Sequence, residues 1–102
     1  MEAKIDEKIT TVTKFMVKSV KTGSTETVDF GTRVNNAAVA VQGFHVSYGN
    51  NDHHVKTIDV RAAIGNISGS TVSVSSTCIM EDKSNNKANG TVEILVIADC
   101  YL

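Results

Sequence analysis

The sequence predicts an all-β fold, an antiparallel β-sandwich of six to seven strands in a single domain over residues 1–102. Segments in which apolar and polar side chains alternate recur along the chain, and alternation is typical of half-buried strands. Clusters of glycine, asparagine and serine separate these segments and mark turns. The length of 102 residues lies near the commonest size of one domain.

Composition disfavours nucleic acid and membrane as partners. The formal net charge of -1 supplies no long-range attraction to phosphate or to anionic lipid. The apolar runs are far shorter than the roughly 20 residues that cross a bilayer, and the start MEAKIDEKITT lacks the apolar core of a signal peptide. We therefore expect the chain in the cytoplasm, or exported as part of an assembly.

The first two strands are predicted to follow a lead-in over residues 1–11. Ile5, Ile9, Val12 and Met16 recur at helical spacing, whereas the β-branched residues after Lys8 favour a strand, so a short helix, a three-stranded coiled-coil stalk and a strand all stay open. A strand over about 12–20 should then pair with 25–30 as a hairpin, because the turn between them contains a glycine, Gly23.

Residues 37–64 are predicted to form two core strands joined by a polar turn at 49–52. The alternation changes phase within the first of them, and a β-bulge at Gly43 would reconcile its two halves. The second alternates strictly from Val55 to Ile64, with Ile58 and Val60 on one face.

The last two strands differ in pattern. Residues 71–80 alternate with Val72, Val74, Cys78 and Met80 inward, and 81–90 reads as a mobile surface loop because it contains no apolar side chain larger than alanine. Residues 91–101 are apolar on both faces.

Two cysteines, Cys78 and Cys100, are predicted to be buried free thiols. If residues 81–90 close a hairpin with Met80 opposite Thr91, the two cysteines lie about 23 Å apart along the ladder, whereas a disulfide needs Cα atoms within roughly 7 Å.

The polar triplet Asp52, His53 and His54 is the candidate metal site. A carboxylate beside two imidazoles can supply ligands to a divalent ion. Neighbouring residues of a strand point to opposite faces, however, so a solvated turn is the alternative that we favour. No cofactor is expected, and His45 should be exposed or at an interface. The chain is not expected to be an enzyme, because its serines occupy regular outward strand positions without a neighbouring base.

Several segments from Val28 to Asp99 resemble the H-type lectin family. They are the V-x-F of Val28 and Phe30, the strands VAVQGFHV and TIDVRAAI, the turn and strand NISGSTVSVS, and the terminal strand VEILVIAD. The resemblance implies a small trimeric sandwich that recognises carbohydrate. The family's Trp-His pair is replaced here by Ile79 and Met80, its later Trp by Val96, and its arginine aligns best with Asp59, two residues before Arg61.

Two functions follow from these observations. The first is a non-catalytic, oligomeric, lectin-like module that binds carbohydrate through its end loops. The second is a purely structural assembly module, such as a phage-tail or adhesin component, without a small ligand. Tyr48 is the aromatic residue beside polar turn residues, the combination that sugar sites use. The candidate ligand residues are Tyr48, Asn50, Asn51, Asp52, His53 and Arg61.

The outer face of the last strand predicts a homo-oligomer, most simply a trimer. Leu95 and Ile97 form an apolar centre between Glu93 and Asp99 on the face that a sandwich strand usually exposes to water. The alternative is that Ile5 and Ile9 of the lead-in segment cover this face within one chain.

Overall fold

The computed structural model describes residues 10–49 and 53–102, and these form seven β-strands and no helix. The strands are β1 (Thr11–Lys21), β2 (Thr25–Asp29), β3 (Val34–His45), β4 (Val55–Ser68), β5 (Thr71–Asp82), β6 (Lys87–Asn89) and β7 (Thr91–Tyr101). The predicted all-β sandwich is confirmed. Within the described ranges there is also no helix with the length and apolarity needed to cross a membrane.

Two antiparallel sheets make up the sandwich. One has the order β1-β7-β3, and the other has the order β2-β5-β4 with the short β6 also paired to β5. The core between them consists of even-numbered residues of the central strands, with a few residues from β1, β2 and β3 and one from the loop after β2. Its members are Val20, Val28, Phe30, Val34, Val72, Val74, Cys78, Val92, Ile94, Val96, Ala98 and Cys100.

The bounds and faces of the last strand agree with the sequence pattern. β7 spans Thr91–Tyr101, and its even-numbered residues are buried while Leu95 and Ile97 lie on the other face. The bulge predicted at Gly43 is also present, because the register of β3 against β7 shifts between Val41 and Gly43.

The predicted hairpin between the first two strands is wrong. β1 pairs with β7 and β2 pairs with β5, so the turn at Gly23 carries the chain from one sheet to the other. The Gly23 N–H donates to the carbonyl of Ser76 on β5 at 3.0 Å, and φ of +80° at Gly23 is a conformation that glycine adopts without strain.

The stretch 37–64 does not contain the two central strands. β3 and β4 are the edges of different sheets, and nearly all of β4 is exposed; the central strands are β5 and β7. β3 begins at Val34 rather than at Ala37. The first nine residues and positions 50–52, on which the lead-in and part of the polar turn fall, lie outside the described residues.

Residues 81–90 do not form a loop that closes a β5–β7 hairpin. β5 continues to Asp82, a turn with Asn85 at a φ of 66° follows, and β6 returns along β5 with Ala88 opposite Met80. The predicted hairpin register, with Met80 opposite Thr91, is therefore wrong, and so is the distance between the cysteines that rests on it. Their state is nevertheless as predicted, because both are buried free thiols, Cys78 on β5 and Cys100 on β7.

Candidate functional site

The carboxylate of Asp82 organises one end of the sandwich. Its Oδ1 accepts the backbone N–H groups of Ser84 and Asn86 at 2.9 and 2.8 Å, and its Oδ2 accepts the side-chain amide of Asn86 at 3.1 Å. Asp82 is only 3% exposed, so these bonds replace the water that a buried carboxylate loses. The turn between β5 and β6 is thus built around this side chain.

His53 joins the connection after β3 to the Asp82 turn. Its Nδ1 lies 2.6 Å from Asp82 Oδ2, and its ring stacks on Tyr48 with 3.9 Å between the centroids. The Tyr48 hydroxyl lies within donating distance of two carbonyls, those of Met80 at 3.0 Å and Asn86 at 2.8 Å. Two of the predicted ligand residues therefore meet, and they hold two chain connections together.

The carboxylate of Asp82, at the centre of this cluster, is kept ionised by its hydrogen bonds. The hydrogen bond from His53 holds the pKa of Asp82 well below its usual range against the opposing effect of desolvation, and the bonds from Asn86 and Ser84 act in the same direction as His53. Desolvation raises the pKa of Tyr48, and the charges of Asp82 and Glu81 add to that shift. Both oxygens of Asp82 are already occupied by protein donors, so this carboxylate is poorly placed to ligate a metal ion.

A shallow depression borders the cluster. It is lined by His53, His54, Asp82, Lys83, Ser84 and Asn86. Its polar lining suits a hydroxyl-rich ligand, but the ring of Tyr48 has one face covered by His53. A sugar therefore could not stack on that face of Tyr48 without displacing the imidazole.

Arg61, another predicted ligand residue, does not join this cluster. Arg61 lies on β4, where its guanidinium donates to both carboxylate oxygens of Asp59 at 2.8 and 2.9 Å. His54 is exposed, and Asn50, Asn51 and Asp52 fall outside the described residues. Among residues 10–49 and 53–102, no group of three or more histidine, cysteine or acidic side chains is arranged to hold a metal ion.

A second candidate surface is the outer face of the β1-β7-β3 sheet. On β7, Leu95 and Ile97 are half-buried, and on β1 the register sets Val17 opposite Leu95 and Phe15 opposite Ile97. Phe15 is 63% exposed and Val17 is 49% exposed. The apolar centre predicted on the last strand thus extends onto its neighbour.

The third strand of this face carries small side chains at the same level. Ala38 lies opposite Ile97 and Ala40 lies opposite Leu95. The face therefore has a ridge of large side chains on β1 and a lower floor on β3, and a shallow depression beside Ile97 is lined in part by Ala38, Asn36 and Thr13.

Polar groups bound this apolar surface at both ends. At one end Asp99 accepts from the amide of Asn35 at 3.3 Å, and the Tyr101 hydroxyl donates to Asn35 Oδ1 at 2.7 Å. At the other end Glu93 and the exposed His45 lie on the same face. An apolar centre with a polar rim is the usual anatomy of a protein interface.

The sequence pattern did not identify Asp82, Phe15 or Val17. Asp82 stands in a polar run that resembles a solvated loop, and its burial depends on contacts with distant residues. Phe15 and Val17 could be placed only by assuming a strand over this segment, because the side chains of a strand point alternately to its two faces and these two then lie opposite the buried Val20. Comparisons of the chain with family models, with curated proteins and with solved structures find no match.

Proposed function

We propose that this chain is a non-catalytic assembly module whose copies associate through the outer face of the β1-β7-β3 sheet. The observation that carries the proposal is the continuous apolar surface of Phe15, Val17, Leu95 and Ile97. Full burial of such a side chain contributes about 1.5–3 kcal/mol, so three or four of them supply a substantial driving force for association.

The shape of the face favours a ring over a two-fold pair. A ridge on β1 and a low floor on β3 are different surfaces, and each copy can insert its ridge over the floor of the next copy. Head-to-tail contacts of this kind close into rings when the rotation between copies is right. Three copies around an axis are the smallest such ring, in line with the trimer expected from the last strand.

Replacing Leu95 and Ile97 together by serine tests this proposal. The sedimenting mass should fall by a factor of three, because the centre of the interface becomes polar. The matched control replaces Ile67 and Leu102 by serine. These residues are 39% and 80% exposed and lie off this face, so the control should leave the mass unchanged.

A second variant tests the proposal even if the double serine variant does not fold. Ala40→Arg adds a charge to the exposed floor of β3 and removes no packed side chain. It should also lower the sedimenting mass by a factor of three, with the circular dichroism of the wild type. A Leu95→Ser/Ile97→Ser double variant that keeps the wild-type mass would overturn the proposal, and a melting temperature that falls at unchanged mass would favour cover of this face within one chain.

Carbohydrate recognition is the second candidate function. It is favoured by the polar depression at the sandwich end, where His54, Lys83 and Ser84 offer hydrogen-bonding groups beside His53, whose ring stacks on Tyr48. A glycan array tests it directly. Binding that is lost in a His54→Ala/Lys83→Ala variant would support a sugar site there, and silence across galactosides, glucosides and amino sugars would leave assembly as the function.

A further inference from the structure

We propose that the free edge of β4 pairs with β4 of a second copy, antiparallel and centred on Val60, so that the β2-β5-β4 sheet continues from one copy into the next. This surface lies on the opposite sheet from the assembly face proposed above, and the two proposals stand or fall separately. The partner is specified by the edge itself, whose charges and hydrogen-bonding groups are self-complementary.

β4 is a long edge strand with less protection against pairing than β1 or β2. It is 14 residues long, and its pairing with β5 is regular from Thr57 to Ile64. By contrast β2 has five residues, and the inward-pointing Lys14 and Lys18 place charge along the side of β1. Short strands, inward-pointing lysines and β-bulges are devices that keep edges from pairing. Between its two register shifts, at Val55/Thr57 and Ile64/Ile67, β4 has none of them.

The backbone groups that face outward on β4 can be identified from the bonds of β5. The carbonyls of Ser76 and Cys78 accept from Gly23 and Gly90, which lie on the side of β5 away from β4. In an antiparallel ladder alternate residues bond to opposite sides, so the odd-numbered residues of β5 are the ones that bond to β4.

Those odd-numbered residues lie opposite odd-numbered residues of β4. Ile79 faces Asp59 and Thr77 faces Arg61. The N–H and C=O groups of Asp59 and Arg61 are therefore used within the sheet. The backbone groups of the even-numbered positions, Ile58, Val60, Ala62 and Ile64, point to the open edge.

A two-fold axis at Val60 pairs these backbone N–H and C=O groups and also sets opposite charges next to each other. Val60 then lies opposite the partner's Val60, and Ile58 lies opposite the partner's Ala62. Both are hydrogen-bonded pairs. Asp59 lies opposite the partner's Arg61 twice, in the non-hydrogen-bonded positions where side chains approach most closely. Moving the axis by one residue would place Asp59 opposite Asp59 or Arg61 opposite Arg61, which like-charge repulsion disfavours.

The apolar side of the edge supports the same partner. Ile58 is 51% exposed, and β3, which packs against β4 across the sandwich, also exposes apolar side chains, Phe44 by 52% and Val41 by 41%. Sheet continuation would bring the same side chains of a second copy to this open side of the core and remove apolar surface from water on both copies.

Charge reversal tests the pairing with its own internal control. Asp59→Arg and Arg61→Asp each place like charges opposite one another across the dyad, so each variant alone should lose a factor of two in sedimenting mass. An equimolar mixture of the two variants places opposite charges at all four positions and should recover the wild-type mass. The same holds for the double variant Asp59→Arg/Arg61→Asp.

Folding is not at risk in these variants, because the side chains of Asp59 and Arg61 are 49% and 69% exposed and exposed ion pairs contribute little to stability. Ala62→Pro gives an independent check, since it removes an N–H that points to the partner and none that bonds to β5, and it should also halve the mass. Single reversals that keep the wild-type mass, or a mixture that does not recover it, would overturn the proposal. A mass that falls by a factor of three in the Leu95→Ser/Ile97→Ser variant bears only on the assembly face.

Discussion

His53 Nδ1 and Asp82 Oδ2 lie 2.6 Å apart although 29 residues separate them in the chain. This contact fixes the chain just before β4 to the turn after β5, next to the pair of Val55 and Asp82 in the ladder between these strands. The ring of His53 also stacks on Tyr48, and this stacking ties the segment after β3, from the other sheet, to the same turn. Because the Asp82 carboxylate also accepts two backbone N–H groups, one side chain sets both the shape of its own turn and the position of the neighbouring connection.

Asp82→Asn should lower the melting temperature at neutral pH and flatten its dependence on acid. The folded state lowers the pKa of Asp82 from 3.8, so the stability that this group contributes is present above about pH 4 and is lost as the pH falls through the folded pKa. The measurement is a series of thermal melts from pH 7 to pH 2. Lys83→Ala, on an exposed side chain of the same turn, should follow the wild type, and parallel curves for Asp82→Asn and wild type would contradict the account.

Gly90→Ala should destabilise the fold by about 1–3 kcal/mol, the usual cost of overpacking. A Cβ at this position would contact the carbonyl oxygen of His45 and would lie 2.7 Å from both Cys78 Sγ and Val46 Cβ. Urea denaturation gives the free energy of unfolding. Asn89→Ala, on the exposed neighbouring residue, is the control and should change it by less than about 0.5 kcal/mol.

Cys78 and Cys100 should resist a thiol reagent in the folded protein and react fully after denaturation without reductant. Both side chains have 0% exposure, and burial raises the pKa of Cys78, which keeps it in the less reactive thiol form. Intact mass spectrometry of the denatured, unreduced chain provides the second readout. A mass lower by two hydrogens than that of the reduced chain would indicate a disulfide and refute the prediction.

The sequence pattern predicts the strands better than their partners. Alternation identified the inward residues of β5 and β7, because burial of one face imposes that period on any strand. It could not tell that β1 pairs with β7 instead of with β2, since a glycine turn such as that at Gly23 serves equally well within a sheet and between two sheets.

Edges and buried polar residues are equally hard to predict. β4 alternates as regularly as β5, yet it lies at an edge, because its position depends on which strands pair and not on its own residues. Asp82 was placed in a mobile loop for a related reason. A buried carboxylate is recognised by its donors, and His53 lies far away in the chain.

The most direct test of the assembly face is a disulfide that can form only between copies. In the double variant Phe15→Cys/Ala38→Cys the two introduced thiols lie on β1 and β3, which flank β7 in the same sheet. Two strand spacings are about 9.6 Å, which exceeds the roughly 7 Å that a disulfide tolerates between Cα atoms, so the two positions cannot be joined within one chain. After mild oxidation, the account predicts covalent species of one, two and three chains on a non-reducing gel, with none larger. Single chains alone, or a ladder that continues beyond three, would contradict a closed ring of three copies.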